Sequence, residues 1–316
     1  MNRSDLSKGF YKNLKCLVLV AGGAKEGESI VFSVYGDGQP VYVCVIDSCV
    51  YGETNIPEML LKQYGLSRLS DIFWTHPHED HTEGMLDLIE KYKPDRVFIP
   101  SDLHSLPEYC SQLCMDTLDG INEFKGCDRR YKNQPKVIGI GTNHQVLKER
   151  LSVNNSIVPF SIQTIAPALA RTRSNAMIEN YNCLNDFSIA LYIVVGDFVI
   201  LFAGDIQDRM IHYVKDELVE GIVSPNLLKI PHHGSNDSKG IIELFYEFCP
   251  IDLAICTAKS SSGLPRNEAL DFYASSSKRV YRIKENIQEI AVWGVEIDIV
   301  NAQINEIENR QYQRYK

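Results

Sequence analysis

Apolar runs and glycine-rich turns alternate through the opening part of the chain. Runs rich in β-branched and aromatic residues cover 16–20, 29–35 and 41–46, and turns at 21–28 and 36–40 separate them. Short strands of this composition joined by glycine-rich turns are typical of antiparallel sheets. The pattern therefore predicts an antiparallel meander of three strands.

Beyond residue 47, segments with helical spacing alternate with short apolar runs. The spacing predicts helices over 56–64, 82–92 and 107–124, and the apolar runs predict buried strands over 71–75 and 96–99. Strands that alternate with helices favour parallel pairing within a sheet. The chain is thus predicted to be of the α/β class.

The second half of the chain repeats this alternation after a polar interruption. Residues Arg171 to Asn185 are polar and irregular, which predicts a long loop inserted between strands. A hairpin about Gly196-Asp197 follows it. Further strands are predicted over 227–230, 252–256, 280–283 and 290–299, and further helices over 243–248 and 267–274. The polar residues 301–316 are expected to fray.

Length and composition narrow the class of protein. With 316 residues, 44% of them apolar, the chain fits one large domain or two small ones, and we expect a single domain with its core over about 16–299. No apolar run approaches the roughly 18 residues of a membrane span, and no leader pattern is present. The odd number of cysteines, nine, fits a reducing cytoplasm. The net charge of −9 repels polyanions at long range, so nucleic-acid contact would require a local basic patch.

Histidines cluster in a way that indicates a metal site. Of eight histidines, five fall in two short segments, His76-Pro77-His78-Glu79-Asp80-His81 and His232-His233. Imidazole and carboxylate groups are donors that zinc and similar divalent ions prefer, and four such groups within six residues can serve two adjacent ions. The alternative is a polar surface loop in which Asp80 caps a helix, but a helix cap does not require three histidines.

The order of these motifs resembles that of the metallo-β-lactamase fold superfamily. His76-x-His78-x-Asp80-His81 is similar to its HxHxDH signature, Asp47 follows a strand as its first motif does, and Gly204-Asp205 and Pro231-His232-His233-Gly234-Ser235 resemble its later motifs. The resemblance spans roughly residues 16–299. It implies a four-layer αββα sandwich with a metal site at the edge where strands end in loops.

Within that superfamily the motifs are most similar to those of the hydrolase domain of ComEC-type DNA-uptake proteins. The membrane channel of those proteins is absent from this sequence. The similar segments are Asn185-x-x-Ser188, Phe202–Ile206, Pro231–Ser235 and Val280-Tyr281-Arg282. The chain departs from its relatives in two places. Only His104 and His144 lie between His81 and Asp205, which implies fewer protein ligands at the first metal position, and Gly263-Leu264-Pro265 stands where relatives tend to carry Gly-His-Pro.

The resemblance implies a centre of two divalent ions, Zn²⁺ with Mn²⁺ or Fe²⁺ as alternatives. Its ligands would be His76, His78, Asp80, His81, Asp205 and the histidine pair His232-His233, with Asp47 as structural support. Asp205 would bridge the ions. A water held between two divalent ions has its pKa lowered from 15.7 toward about 7, which provides a hydroxide nucleophile at neutral pH.

The adjacent histidines His232 and His233 are expected to divide two roles. In an extended segment they would point in opposite directions, so that one binds metal and the other contacts a substrate oxyanion or donates a proton. The sequence does not choose between them. Asp80, Asp205 and this pair are the predicted catalytic residues.

Substrate contacts are expected from residues that flank the metal motifs. Arg171 and Arg173 precede the hairpin that leads to Asp205 and are the best candidates for phosphate contacts, and Asn185, Ser188 and Ser235 complete the predicted substrate-binding set. Ser235 follows a glycine and fits a turn or helix cap rather than a nucleophile.

These residues and the resemblance predict a metal-dependent hydrolase that acts on a phosphodiester, with nucleic acid as a candidate substrate. One alternative is a hydrolase of small esters, lactones or thioesters. Another is a metal-stabilised module that binds a partner without catalysis, because a fold alone does not determine function.

Overall fold

Two large β-sheets with helices on their outer faces make up the computed structural model. It describes residues 9–23, 26–101, 103, 106, 110–126, 134–178, 183–219, 221–284 and 287–315. The strands are β1 Phe10–Tyr11, β2 Leu14–Gly22, β3 Ser29–Gly36, β4 Gln39–Ile46, β5 Val50–Tyr51, β6 Thr54–Asn55, β7 Asp71–Phe73, β8 Arg96–Pro100, β9 Lys136–Ile140, β10 Gln145–Val153, β11 Ser156–Ala166, β12 Ala190–Val195, β13 Phe198–Phe202, β14 Leu227–Lys229, β15 Leu253–Cys256, β16 Val280–Ile283, β17 Ala291–Asp298, β18 Gln303–Arg310 and β19 Tyr312–Arg314.

Within the described residues, six α-helices and several short 3₁₀ turns connect the strands. The helices are α1 Ile56–Gln63, α2 Met85–Tyr92, α3 Gln112–Gly126, α4 Leu169–Ala176, α5 Asp208–Glu217 and α6 Asn267–Ser276. The 3₁₀ turns lie at Glu79–His81, Leu184–Phe187, Pro231–Gly234, Gly240–Leu244 and Ser260–Ser262. Among the residues described, no helix combines the length and the apolar character needed to cross a bilayer.

Each sheet combines antiparallel hairpins with a parallel segment. One sheet has the order β18-β17-β2-β3-β4-β7-β8-β9, and the other has the order β1-β10-β11-β12-β13-β14-β15-β16-β19. Strands β4, β7 and β8 are parallel in the first, and β13 to β16 are parallel in the second. Parallel neighbours end at the same edge of a sheet, so the loops after these strands gather side chains at one edge.

The two sheets pack face to face through their apolar inner faces. Val18 and Phe32 of the first sheet lie in one buried cluster with Phe160, Ile193 and Phe202 of the second. The alternation of these residues along each strand places one face of every strand in this central layer.

The outer faces of both sheets are covered by helices. Apolar residues of α1, α2 and α3 pack on the outer face of the first sheet, and apolar residues of α5 and α6 pack on the outer face of the second. The predicted four-layer αββα sandwich is therefore confirmed.

Most predicted elements are present. The meander is confirmed as β2, β3 and β4, and the hairpin about Gly196 as β12 and β13, with Val195 paired to Phe198. Strands β9, β10 and β11 and helix α5 were not predicted. The start of the helix predicted over 107–124 falls on residues 107–109, which lie outside the described part of the chain.

Two local predictions were wrong, each because a distant segment supplies a hydrogen-bond partner to the backbone. Residues 171–176 of the predicted loop belong to helix α4, whose first two amides, Leu169 N and Ala170 N, donate to the Glu217 carboxylate at 2.7 and 2.8 Å. Residues 179–182 of that loop lie outside the described part of the chain. The helix predicted over 243–248 is replaced by a 3₁₀ turn that ends at Leu244, because Tyr246 N donates to Ile222 O at 2.7 Å.

The polar tail also proved ordered. Instead of fraying, residues 303–310 pair with β17 and residues 312–314 pair with β16. An edge strand has one face and one edge open to water, and such a strand carries polar residues without losing its pairing. The polarity of the tail therefore reflected an edge position.

Candidate metal centre

Ligand-type side chains from both sheets meet at the edge where the parallel strands end. Asp47 follows β4, His76 follows β7, Asp205 follows β13 and His233 follows β14, and Glu28 immediately precedes β3. All five are buried. The sandwich thus gathers groups that are far apart in the sequence.

The segment from His76 to His81 folds into a tight turn. Its last three residues form a 3₁₀ turn in which His81 N donates to His78 O at 3.0 Å, and helix α2 begins only at Met85. His76 Nε2 lies 2.9 Å from His78 Nδ1, and the ring centroids of His76 and His81 are 4.3 Å apart. The predicted convergence of these side chains is present.

Asp47 holds this segment in place through hydrogen bonds to Thr75 and His81. One carboxylate oxygen accepts from Thr75 N at 2.7 Å, and the other accepts from Thr75 Oγ1 at 2.6 Å and from His81 Nδ1 at 2.7 Å. Burial raises the pKa of Asp47, and the nearby His81 opposes that rise. Because Nδ1 of His81 carries the donated proton, its Nε2 presents a lone pair to the centre.

Two threonine hydroxyls orient the other buried histidines in the same manner. Thr75 Oγ1 donates to Asp47 and so accepts from His76 Nδ1 at 3.0 Å. Thr257 Oγ1 donates to Glu28 at 2.7 Å and accepts from His233 Nδ1 at 2.8 Å. The Nε2 atoms of His76, His81 and His233 therefore all remain available as metal donors.

Asp205 is the buried acceptor that these histidines surround. Its Oδ2 lies 3.7, 3.5 and 3.4 Å from Nε2 of His76, His81 and His233. Neither carboxylate oxygen has a hydrogen-bond partner among the described residues. A buried carboxylate without hydrogen bonds is costly, and a bound cation would remove that cost.

Asp80 divides its two oxygens between the centre and a lysine. Oδ2 is buried, lies 3.2 Å from His233 Nε2 and 3.6 Å from His81 Nε2, and has no hydrogen-bond partner within the described segments. Oδ1 accepts from Lys259 Nζ at 2.8 Å. Asp80 can therefore ligate through Oδ2 while Lys259 holds the other oxygen.

The histidine pair separates into one buried and one half-buried residue. Both residues adopt left-handed backbone conformations, with φ of 48° and 47°, and the segment is thus not extended as predicted. The turn directs His233 into the buried centre. His232 Nε2 instead lies 3.1 Å from Asn185 Nδ2, and its Nδ1 lies 3.1 Å from Asp237 Oδ1. Only His233 of the pair joins the ligand-type groups that the described residues form.

Electrostatics in the cluster separates the histidines into two kinds. Burial lowers the pKa of His76 well below its usual value, and burial followed by the charge of Lys259 lowers that of His78 to about 4. Burial opposes protonation of His81 as well, but the surrounding carboxylates, Asp205 foremost, raise its pKa. The pKa of His233 is also raised by Asp205 against the effect of burial. The negative charge of the carboxylates thus favours protonated His81 and His233, and the same charge favours a bound cation.

The predicted substrate residues lie in different surroundings. Asn185 contacts His232, and Ser188 Oγ accepts from Asp205 N at 3.3 Å, so both lie at the centre, while Ser235 follows the histidine pair in the same turn. Arg171 and Arg173 lie on α4, where the Arg171 guanidinium carbon is 5.3 Å from the centroid of the Tyr213 ring.

The sequence analysis missed four residues at the centre. They are Glu28, Lys229, Thr257 and Lys259. Lys229 is fully buried, pairs with Glu28 and lies 3.7 Å from Asp205 Oδ1. A charged residue within the apolar run Leu227-Leu228-Lys229-Ile230 was the available signal. His144 lies beside Phe98, with ring centroids 6.4 Å apart, and His104 lies outside the described residues.

Comparisons with known proteins do not identify the reaction of this chain. No protein-family model matches the sequence. No curated protein sequence matches it. Similar solved structures include a diphosphatase from the PhnP family, with 12% identity, a TM-score of 0.39 and coverage of 90% of this chain and 98% of that one.

Two further solved structures are similar over much of the chain. A variant of the CmlA β-hydroxylase has 13% identity and a TM-score of 0.43, with 88% of this chain and 53% of that one covered. Zn²⁺-bound PqqB from Methylobacterium extorquens has 9% identity and a TM-score of 0.33, with 76% and 71% covered. TM-scores below 0.5 at such identities carry no weight in assigning an activity.

Proposed function

We propose that this chain is a metal-dependent hydrolase with a centre of two divalent ions, and that its substrates are phosphodiesters. The observation that carries the proposal is Asp205, a fully buried carboxylate. Within the described part of the chain its two oxygens have no hydrogen-bond partner, and three imidazole Nε2 atoms surround one of them. Such an arrangement is costly without a cation and favourable with one.

The donor set fits two ions. His76, His78 and Asp205 form one group of potential ligands, and Asp80, His81 and His233 form another. Asp205 Oδ2 lies near His76 of the first group and near His81 and His233 of the second, so Asp205 would serve as a ligand to both ions. Mixed imidazole and carboxylate donors suit Zn²⁺ first, with Mn²⁺ and Fe²⁺ as alternatives.

When bound, the ions supply Lewis acidity and a hydroxide nucleophile at neutral pH. Lys259 provides a further positive charge at the centre, where it pairs with Asp80 Oδ1. His232, whose side chain is 16% exposed, is the residue of the pair that faces solvent and is suited to donate a proton to a leaving group. Asp237 and Asn185 hold its ring.

The choice of phosphodiester over other esters rests on this added positive charge and on the resemblance of the motifs to those of ComEC-type hydrolase domains. Arg171 and Arg173 stay in the proposal as contacts for a polyanionic substrate from helix α4. A small ester, lactone or thioester remains the alternative substrate. The second alternative is a module that binds metal and a partner without turnover.

Metal analysis of Asp205→Asn tests the proposal. We expect up to two ions per chain in the wild type, fewer in the variant, and loss of hydrolysis while the fold survives, because the amide keeps the shape and removes the charge. Asp252→Asn is the matched control, since Asp252 is a partly buried aspartate held by Asn226 and Lys278. Equal metal content in wild type and Asp205→Asn would refute the bridge.

A substrate panel separates the candidate functions. The panel contains single- and double-stranded DNA, RNA, cyclic nucleotides, a phosphodiester dye, lactones and thioesters. Cleavage of phosphodiesters alone supports the proposal, and cleavage of lactones or thioesters alone assigns the alternative substrate class. Full metal content without any turnover favours the partner-binding module.

A further inference from the structure

A cavity of about 870 Å³ lies beside the proposed metal centre and is lined by cationic side chains. Arg266, Arg282 and Lys284 contribute positive charge to its wall, and Glu268 is the one acidic residue among its described lining residues. The chain as a whole carries a net charge of −9. A local concentration of positive charge on an acidic protein attracts a small anion to that place.

Backbone contacts join this cavity to the proposed metal centre. Arg266 N donates to Gly234 O at 2.9 Å, directly after His233. Ala258 and Ser260 line the cavity, whereas Lys259 between them turns its ammonium group to Asp80. A ligand in the cavity therefore has its end within reach of the residues that flank the centre.

One of these cations, Arg282, is held in place by the neighbouring strand β19 and the residue that follows it. With the Gln313 amide oriented to accept, its oxygen lies 3.2 Å from both Nε and Nη2 of Arg282, and the guanidinium carbon is 5.5 Å from the Tyr315 ring centroid. Arg282 is thus held in place before a ligand arrives, which lowers the entropic cost of binding. Since Nε and Nη2 of Arg282 face Gln313, this residue supplies fixed positive charge to the wall, which attracts the oxygens of a phosphate.

The rest of the wall suits an organic group. Leu264, Pro265, Ile283 and Ile287 supply apolar surface, and Asn236 and Asn267 supply amides. The volume lies within the roughly 300–1,000 Å³ typical of small-molecule sites. A polynucleotide needs an extended basic surface, whereas this cavity is local.

We infer that this cavity binds a nucleotide-sized phosphate ester, with the phosphate at Arg266, Arg282 and Lys284 and the organic group on the apolar wall. The inference rests on the proposed function in that the bound molecule would present its scissile phosphodiester to the metal centre. It narrows the substrate class from phosphodiesters in general to small ones.

Binding of adenosine 5′-monophosphate, measured by calorimetry on the metal-loaded protein and again in chelator, tests the inference. Charge-assisted contacts of this kind predict a loss of affinity of about 10- to 100-fold for Arg266→Gln and for Lys284→Gln. Both residues are exposed, so their substitution leaves the fold intact. Lys148→Gln and Arg150→Gln on strand β10, also exposed, are the matched controls and should bind as the wild type does.

Hydrolysis assays with the same variants distinguish the two proposals. A raised KM for cyclic dinucleotides in Arg266→Gln and Lys284→Gln, with kcat retained, supports the cavity as a substrate site. Nucleotide binding and KM equal to wild type in both variants overturn it, even if the protein hydrolyses phosphodiesters. Cavity-dependent binding of the nucleotide by a protein that hydrolyses nothing keeps the binding site and refutes the proposed function.

Discussion

Thr257→Val tests whether the hydrogen bond that Thr257 accepts from His233 sets the metal affinity of this centre. Thr257 Oγ1 accepts from His233 Nδ1 at 2.8 Å and donates to Glu28 at 2.7 Å. Valine keeps the branched shape and removes the hydroxyl, so His233 loses the partner that fixes its proton on Nδ1. Imidazole then no longer presents Nε2 as its only lone pair.

The size of the effect follows from the burial of all three groups. Glu28 and His233 are 1% and 0% exposed, so a lost partner is not replaced by water. An unsatisfied buried polar group costs about 1–3 kcal/mol, and Glu28 keeps its pairing with Lys229. Loss of the hydrogen-bond partner of a metal-binding histidine lowers metal affinity by about 10- to 100-fold, which corresponds to about 1.4–2.8 kcal/mol.

Two measurements on one set of variants check the prediction. Metal affinity is measured by competition with a chromophoric chelator at fixed pH, and stability by urea unfolding of the metal-free protein. Thr142→Val is the control, because Thr142 Oγ1 is a buried hydroxyl that donates to Pro167 O at 2.7 Å and belongs to none of the ligand-type groups of the described residues. It should lose stability and keep its metal affinity.

The outcome that would refute the reasoning is specific. If Thr257→Val loses stability but binds metal as the wild type does, the hydroxyl stabilises the fold without orienting His233. If both variants lose affinity equally, the effect is a general loss of stability. Either result removes Thr257 from the proposed support of the centre.

Three further predictions concern the core, the pH dependence and the surface. Phe202→Ala, at a buried position between the sheets, should lower the free energy of unfolding by about 3–5 kcal/mol. Phe10→Ala, at a position 86% exposed, should change this free energy by less than about 0.5 kcal/mol. Equal urea midpoints for the two variants would contradict the assigned core. Burial, with the charge of Arg96, lowers the pKa of His144 below the usual 6.5, so the unfolded chain takes up a proton first and the free energy of unfolding falls as pH drops through 6.5. Urea unfolding at pH 8 and pH 5.5 should therefore show a smaller drop in this free energy for His144→Gln than for the wild type. An equal drop in both proteins would count against the prediction. If Arg171 and Arg173 contact a polyanion, the double alanine variant should lower the salt slope of DNA binding by about one unit per contact, and unchanged slopes would remove both from the proposal.

Local patterns in the sequence were sufficient for most of the architecture. The apolar runs of β2, β3 and β4 and the helical spacing of α1 and α2 are properties of neighbouring residues, so they can be read without knowledge of the fold. The density of histidines between His76 and His81 is equally local. These features predicted the layers and one half of the candidate centre.

Tertiary structure decided the other half of the centre. Glu28 and Thr257 are 229 residues apart and meet only because the start of β3 and the end of β15 lie at the same edge of the sandwich. The left-handed turn at His232 and His233 directs the second of them inward, which no alternation rule for extended chain could predict. Which histidine belongs to the centre was thus decided by backbone conformation.

The same division explains the errors in the fold. Helix α4 begins where the Glu217 carboxylate accepts from its first amides, and the polar tail is ordered because β16 and β17 offer open edges. Local spacing reports which faces of a segment are apolar, whereas hydrogen-bond partners supplied by distant segments determine whether a polar segment is ordered. The sequence by itself determined the class of fold and the kind of ligand, and the packing of the two sheets decided which residues share the centre.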